Sequence, residues 1–236
     1  MKFTVLTTLL CTVSSVSMLS IATVQAGSDP RLILQITVDA LRGDLPRRYA
    51  HVLGDGGFHY LMEQGIDYTS AHYQHANTET IVGHVSLATG SVPAAHGMVA
   101  NVWFDRELGR LMYNIEDARY HLLTAGGDVD RQTEIDPTQK AARVDGRSPA
   151  AILSSTFSDE LAVHFAGQSK IFAVSVKDRG AVSLAGHAGK AFWFSKSSGE
   201  FVTSTYYYEQ YPEWVNDWNA RKPASAYAGK SWTLLH

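Results

Sequence analysis

The sequence predicts an α/β protein: a mainly parallel sheet with helices on both faces. Three observations predict it. The run "RLILQITV" (31–38) is almost continuously apolar, with Ile33, Leu34, Ile36 and Val38, the pattern of a strand covered on both sides. "GGFHYLMEQG" (56–65) then spaces Phe58, Leu61 and Met62 at helical intervals before a glycine stop, and "IDYTSAHYQH" (66–75) reads as a returning strand. A second buried-type strand, "KIFAVSVK" (170–177), lies far downstream, so strands and helices alternate as in a sheet built by crossovers.

The other elements follow in order. Residues 80–89 read as a short helix stopped by Gly90, with a turn around Pro93 and Gly97. Residues 105–147 are polar and without periodicity, an insertion or partial lid. Ser148-Pro149 has the form of a cap and first turn, which predicts a helix from there to about Phe165. "AFWF" (191–194) and "FVTSTYYY" (201–208) read as strands, and "YPEWVNDWNA" (211–220) as a short helix.

At 236 residues the chain can bury a core as one large domain. A formal charge of −3 and the lack of a Lys/Arg run give no footprint for nucleic acid. The first 26 residues combine Lys2, an uncharged run from Phe3 to Val24 and the ending Val24-Gln25-Ala26, which has the form of a secretory signal peptide. A membrane anchor is the rival reading of that run. Cys11, the one cysteine, lies inside it, so residues 27–236 have no thiol chemistry and no disulfide. Export without disulfides predicts a periplasmic or secreted protein, with no stable membrane span once the signal is cut.

Three places carry possible chemistry. Asp39 ends the first apolar run, where an acid suits a metal or caps the next helix. Thr80 opens a helix, where free N–H groups favour an alkoxide or a phosphate but equally a simple capping role. Lys177 and Arg179 stand two apart at a strand end, so their side chains share one face. They suit a phosphate, or form a surface pair bridged to Asp178 or other acids.

Together, "LQITVDALRGD" (34–44), "TETIVGHVSLATGSVPAAHGMVAN" (78–101) and "SVKDRGAVSLAGHAGKAFWF" (175–194) resemble the alkaline phosphatase superfamily, near its nucleotide pyrophosphatase/phosphodiesterase relatives. The Lys-x-Arg pair is similar to that of the bacterial periplasmic branch with a threonine nucleophile. The resemblance implies hydrolysis of small-molecule phosphate monoesters through a phosphothreonine on Thr80, with two zinc ions. Asp39 and Thr80 would be metal ligands, and Asn101, Lys177 and Arg179 would hold the phosphate oxygens. Diesterase relatives generally lack the Lys-x-Arg pair, so a phosphodiesterase or nucleotide pyrophosphatase is the alternative. A sulfatase would need a C/S-x-P-x-R motif, which is absent.

His84, His96 and His187 fall in the matched segments and read as structural. The family's other zinc ligands, an Asp-x-x-x-His motif, an Asp-His pair and a final histidine, lie downstream of the Lys-x-Arg segment. Asp55/His59 and Asp117/His121 have the first spacing but precede Lys177, and no Asp-His pair occurs. The chain therefore reads as the N-terminal part of such a catalytic domain, with the remaining ligands expected beyond His236. A catalytically inactive fragment is the third alternative.

Overall fold

The structure, a computed structural model, describes residues 30–234. The predicted signal peptide and His236 lie outside these residues. The chain divides into two units, Met1–Ile36 and Thr37–His236. In the first, residues 30–36 form no helix or strand, and the side chains of Leu34 and Ile36 are largely exposed.

The second unit holds every helix and strand among the described residues. In chain order these begin with α1 (Leu45–Arg48), α2 (Phe58–Gln64), α3 (Thr80–Thr89) and α4 (Pro93–His96). The hairpin strands β1 (Val102–Asp105) and β2 (Arg110–Tyr113) follow. After them come α5 (Phe157–His164), β3 (Phe172–Ser175), α6 (Asp178–Ala185), β4 (Lys190–Ser195), β5 (Glu200–Val202) and α7 (Glu213–Ala220).

The unit is organised around β3-α6-β4. Strands β3 and β4 pair in parallel, Phe172 opposite Lys190 and Ser175 opposite Trp193, with α6 as the connection between them. β5 adds to β4 in antiparallel register. Helix α6 packs on β3 and β4, and α3 packs on α6. Burial follows from the residue types. Ile81, Val82 and Val85 of α3 meet Ala181, Val182 and Ala185 of α6 in one core that also takes Ala191, Trp193 and Val202 of the sheet. Small residues on α6 allow close approach: a Cβ on Gly180 would stand 2.7 Å from Ser175 Oγ of β3.

Helix α3 has the predicted limits, ending at Gly90 with φ 65°. Helices α2 and α7 lie where they were expected, and α4 is a single turn ended by Gly97 at φ 81°.

Other expectations are corrected. The run 31–38 is not a strand, and Val38 is half exposed, because no neighbour among the described residues supplies ladder hydrogen bonds. Residues 66–75 likewise form no strand. Among the described residues the predicted mainly parallel sheet is a three-stranded mixed one, with a separate two-stranded antiparallel hairpin. Strand β3 is an edge strand with Phe172 and Val174 exposed, rather than one covered on both sides.

Ser148 does cap a turn, its hydroxyl accepting the N–H of Ala150 (3.2 Å) while donating to Asp117 (2.5 Å). The predicted helix does not follow, because the N–H of Leu153 goes to the carbonyl of His96 (3.0 Å) rather than to Pro149. The helix starts instead at a capping box, in which Thr156 accepts the N–H of Asp159 and Asp159 accepts the N–H of Thr156. The polar segment 105–147 contributes Tyr113, Ile115, Leu122 and Ala142 to the core and the buried Arg147 beside it.

Candidate active site

Thr80 is the first residue of α3, and three side chains fix the chain around it. Asn77 Oδ1 accepts the N–H of Glu79 (3.1 Å), and Glu79 Oε2 accepts the N–H of Asn101 (2.6 Å). Asn101 Oδ1 in turn accepts the N–H of Ile81 (3.1 Å), so one of the free donors at the start of α3 is satisfied from 20 residues away. With its amide oxygen committed to the helix, Asn101 has its NH2 group left to donate. The backbone carbonyl of Asn101 is held by the Asn114 side chain (2.6 Å).

The hydroxyl of Thr80 donates to Asp39 Oδ2 at 3.3 Å, while Asp39 Oδ1 accepts the N–H of Ala40 (3.0 Å). Ala40 has φ 57°, a conformation unusual for a residue with a Cβ, and it turns the chain directly after the carboxylate. Thr80 and Asp39 are thus brought together although 41 residues separate them.

Lys177 and Arg179 converge by a route the sequence reading missed. Lys177 caps α6 and Arg179 lies in its first turn, so a helix start, not strand alternation, brings them to one side. Their partner is Asp136. Its Oδ2 accepts from Lys177 Nζ and from both terminal nitrogens of Arg179, each at 3.2 Å. Those cations, through Lys177 first, with Thr138, hold the Asp136 carboxyl far below the usual carboxylate range although partial burial opposes it.

Asp178, between the two cations, turns inward. It pairs with the guanidinium of Arg147 (2.7 Å) and accepts from Tyr113 Oη (2.7 Å) and Gln139 Nε2 (3.1 Å). Arg147 also donates to Asp128 (2.9 Å), and both members of the Arg147–Asp178 pair are almost fully buried. Sequence reading missed this pair because one arginine in an aperiodic polar stretch carries no local signal.

Helices α3 and α6 meet beside this region. His84 Nδ1 lies 2.7 Å from the carbonyl of Thr80, and its Nε2 is 3.7 Å from where a Cβ on Gly180 would stand. His96 is fully buried, accepting the N–H of Met98 on Nδ1 with Ser86 Oγ 3.0 Å from Nε2; burial pushes its pKa down. His187 Nδ1 lies 2.8 Å from Asp159 Oδ2.

Metal fit is testable from the donors alone. A protein zinc site takes three or four ligands. Among the described residues no group of three or more His, Cys, Asp or Glu side chains could hold a metal, and Asp39 with Thr80 supplies two oxygens. The residues present therefore do not make a zinc site by themselves.

Residues 33–234 match the family described as type I phosphodiesterase / nucleotide pyrophosphatase. The alkaline phosphatase PafA of Elizabethkingia meningoseptica is 34% identical over 208 residues, 87% of this chain and 35% of the relative. The alkaline phosphatase PhoV of Synechococcus elongatus is 35% identical over 213 residues, 90% of this chain and 36% of the relative. The crystal structure of wild-type PafA superposes with a TM-score of 0.71 at 36% identity, covering 83% of this chain and 35% of that one. A PafA mutant substituted at a threonine, an asparagine, a lysine and an arginine superposes with a TM-score of 0.73. The chain thus spans little more than a third of the length of these relatives.

Proposed function

The chain belongs to the type I phosphodiesterase / nucleotide pyrophosphatase family, and from that premise we propose that it carries the nucleophile and the phosphate clamp of a phosphate monoester hydrolase. The observation that carries this reading is the convergence of Lys177 and Arg179 on one carboxylate oxygen, that of Asp136 Oδ2. Two cations that meet on a single oxygen anion form a receptor for an oxyanion, and Arg offers the planar fork that phosphate recognition uses. A monoester dianion exposes three such oxygens, one more than a diester, so this pair favours the monoester.

Thr80 is the proposed nucleophile. It sits at the positive end of α3, where an alkoxide and a phosphate are both stabilised. Attack of the Thr80 oxygen on phosphorus would form a phosphothreonine as the ester P–O bond breaks, the hydroxyl losing its proton and the departing alcohol oxygen gaining one, with Asn101, Lys177 and Arg179 balancing charge on the equatorial oxygens. The threonine, asparagine, lysine and arginine substituted in the PafA mutant have the same sequence separations within each pair as Thr80 to Asn101 and Lys177 to Arg179.

A threonine hydroxyl is a weak nucleophile unless a base or metal activates it, and zinc could supply that activation. Asp39 would be one ligand of such a zinc, with further ligands from outside the described residues. Secretion to the periplasm or medium belongs to the same proposal and is supported by the apolar run before Ala26. Among the described residues no helix is long and apolar enough to cross a membrane.

Turnover of an aryl phosphate and of a bis-aryl phosphate, compared in the wild type and in Lys177→Ala/Arg179→Ala, tests the substrate class. Monoester turnover is expected to fall far more than diester turnover. Equal losses would support the diesterase alternative, and no turnover with or without Zn2+ would support a phosphate-binding fragment.

A further inference from the structure

We propose that Asp136 is an internal competitor for the clamp of Lys177 and Arg179, a carboxylate that a phosphate must displace before those cations can hold it. The proposal rests on the reading of the two cations as a phosphate clamp. Asp136 comes from the aperiodic segment 105–147, which lies apart in sequence from α6, and it reaches the clamp 41 residues ahead of Lys177.

The geometry is that of a bound anion. Oδ2 takes all three N–H contacts, from Lys177 Nζ and from the two terminal nitrogens of Arg179, as a single phosphoryl oxygen would. Oδ1 is held from the other side by the N–H of Thr138 (2.9 Å) and its hydroxyl (2.6 Å), which pre-orients the carboxylate at no cost to the clamp. The Thr138 hydroxyl also accepts from Arg179 (3.2 Å). The Asp136 side chain is 13% exposed and that of Arg179 is 6%, so water screens this contact less than it would a surface pair. Asp178 cannot serve in its place, because both its oxygens are committed, to Arg147 on one side and to Tyr113 and Gln139 on the other.

Charge gives the contact a consequence. Lys177 and Arg179 carry two positive charges and Asp136 returns one negative charge. An incoming dianion replaces that charge and adds a second, whereas a monoanion only replaces it. Asp136 therefore lowers the affinity of the clamp for every oxyanion by the same factor, and a dianion brings a second charge that offsets this cost. It also speeds the departure of product phosphate by re-entering the clamp.

The test is the affinity of the intact chain for inorganic phosphate, measured by titration calorimetry at pH 8 in the wild type and in Asp136→Asn, each with and without Lys177→Ala/Arg179→Ala. Removing the competing charge is expected to tighten phosphate binding on the order of tenfold, equivalent to about 1.4 kcal/mol, and the gain is expected to vanish when Lys177→Ala/Arg179→Ala is added to Asp136→Asn. Asp136→Ser, with circular dichroism on each variant, repeats the measurement in a second folded background. Unchanged or weaker phosphate binding in both Asp136 variants overturns the proposal. If wild-type binding is nonetheless lost in Lys177→Ala/Arg179→Ala, the clamp reading survives that result. Binding indifferent to Lys177 and Arg179, or absent from every variant, overturns both.

Discussion

Asn101 accepts the backbone N–H of Ile81 through its side-chain oxygen at 3.1 Å, so a residue proposed to hold phosphate also closes the start of the helix that carries Thr80. The two duties use different ends of one amide, and substitution can separate them. Asn101→Ala is expected to lose both: about 1 kcal/mol of stability, as for a lost helix cap, and phosphate affinity. Asn101→Asp keeps an acceptor for Ile81 and is expected to fold about as stably as the wild type, yet to bind phosphate worse because a carboxylate replaces the donor. Thermal melts paired with phosphate titrations check both, and an Asn101→Asp variant that binds phosphate normally would remove Asn101 from the clamp.

Arg147 forms a buried ion pair, 2.7 Å apart, with Asp178, the residue between Lys177 and Arg179. Arg147→Met leaves the Asp178 carboxylate without its main countercharge and is expected to cost about 3–5 kcal/mol, the range for breaking a buried pair. Adding Asp178→Asn to Arg147→Met is expected to recover part of that loss, because the uncompensated charge goes. Urea unfolding of the two single variants and the double variant gives the coupling, and purely additive effects would contradict the pairing.

Acid stability has a local component at Asp117. Hydrogen bonds from Arg119 and then Ser148 hold its carboxyl down to about 2, against burial, from an ordinary value of 3.8. A depressed carboxylate pKa contributes stability that is present above the unfolded value and is lost as pH falls toward the folded one. Asp117→Asn is therefore expected to be less stable than the wild type at pH 7, with the gap narrowing between pH 3.8 and about 2. Unfolding midpoints at pH 7 and pH 3 measure this, and a constant gap would rule Asp117 out as a source of acid sensitivity.

What could be read from the sequence was what local chemistry dictates. Helix α3 was legible to the residue because Thr80 opens it and Gly90 adopts the left-handed conformation that ends it. Thr80 was legible as a helix start, Asp39, Lys177 and Arg179 were singled out by their place at the ends of expected strands, and Asn101 only by the family resemblance. Long-range partnership was not. Asp136 gives no local sign that it will meet Lys177, and nothing near Ser148-Pro149 signals that the N–H of Leu153 will go to the carbonyl of His96 and end the turn there. The apolar run 31–38 signals a covered strand, but no pattern within it tells whether neighbours supply the cover. Helix α6 was hidden because Lys177, Asp178 and Arg179 read as a polar strand end rather than a helix start.

The central claim is that Thr80 is the group that takes the phosphoryl, and acid-quenched mass spectrometry tests it most directly. The protein is incubated with an aryl phosphate in the presence of Zn2+, quenched and digested. Phosphate is expected on Thr80 in the wild type and on the serine hydroxyl in Thr80→Ser, with none on that peptide and no ester turnover in Thr80→Ala. Ester turnover that persists in Thr80→Ala, or phosphate recovered on a different residue, would contradict the account.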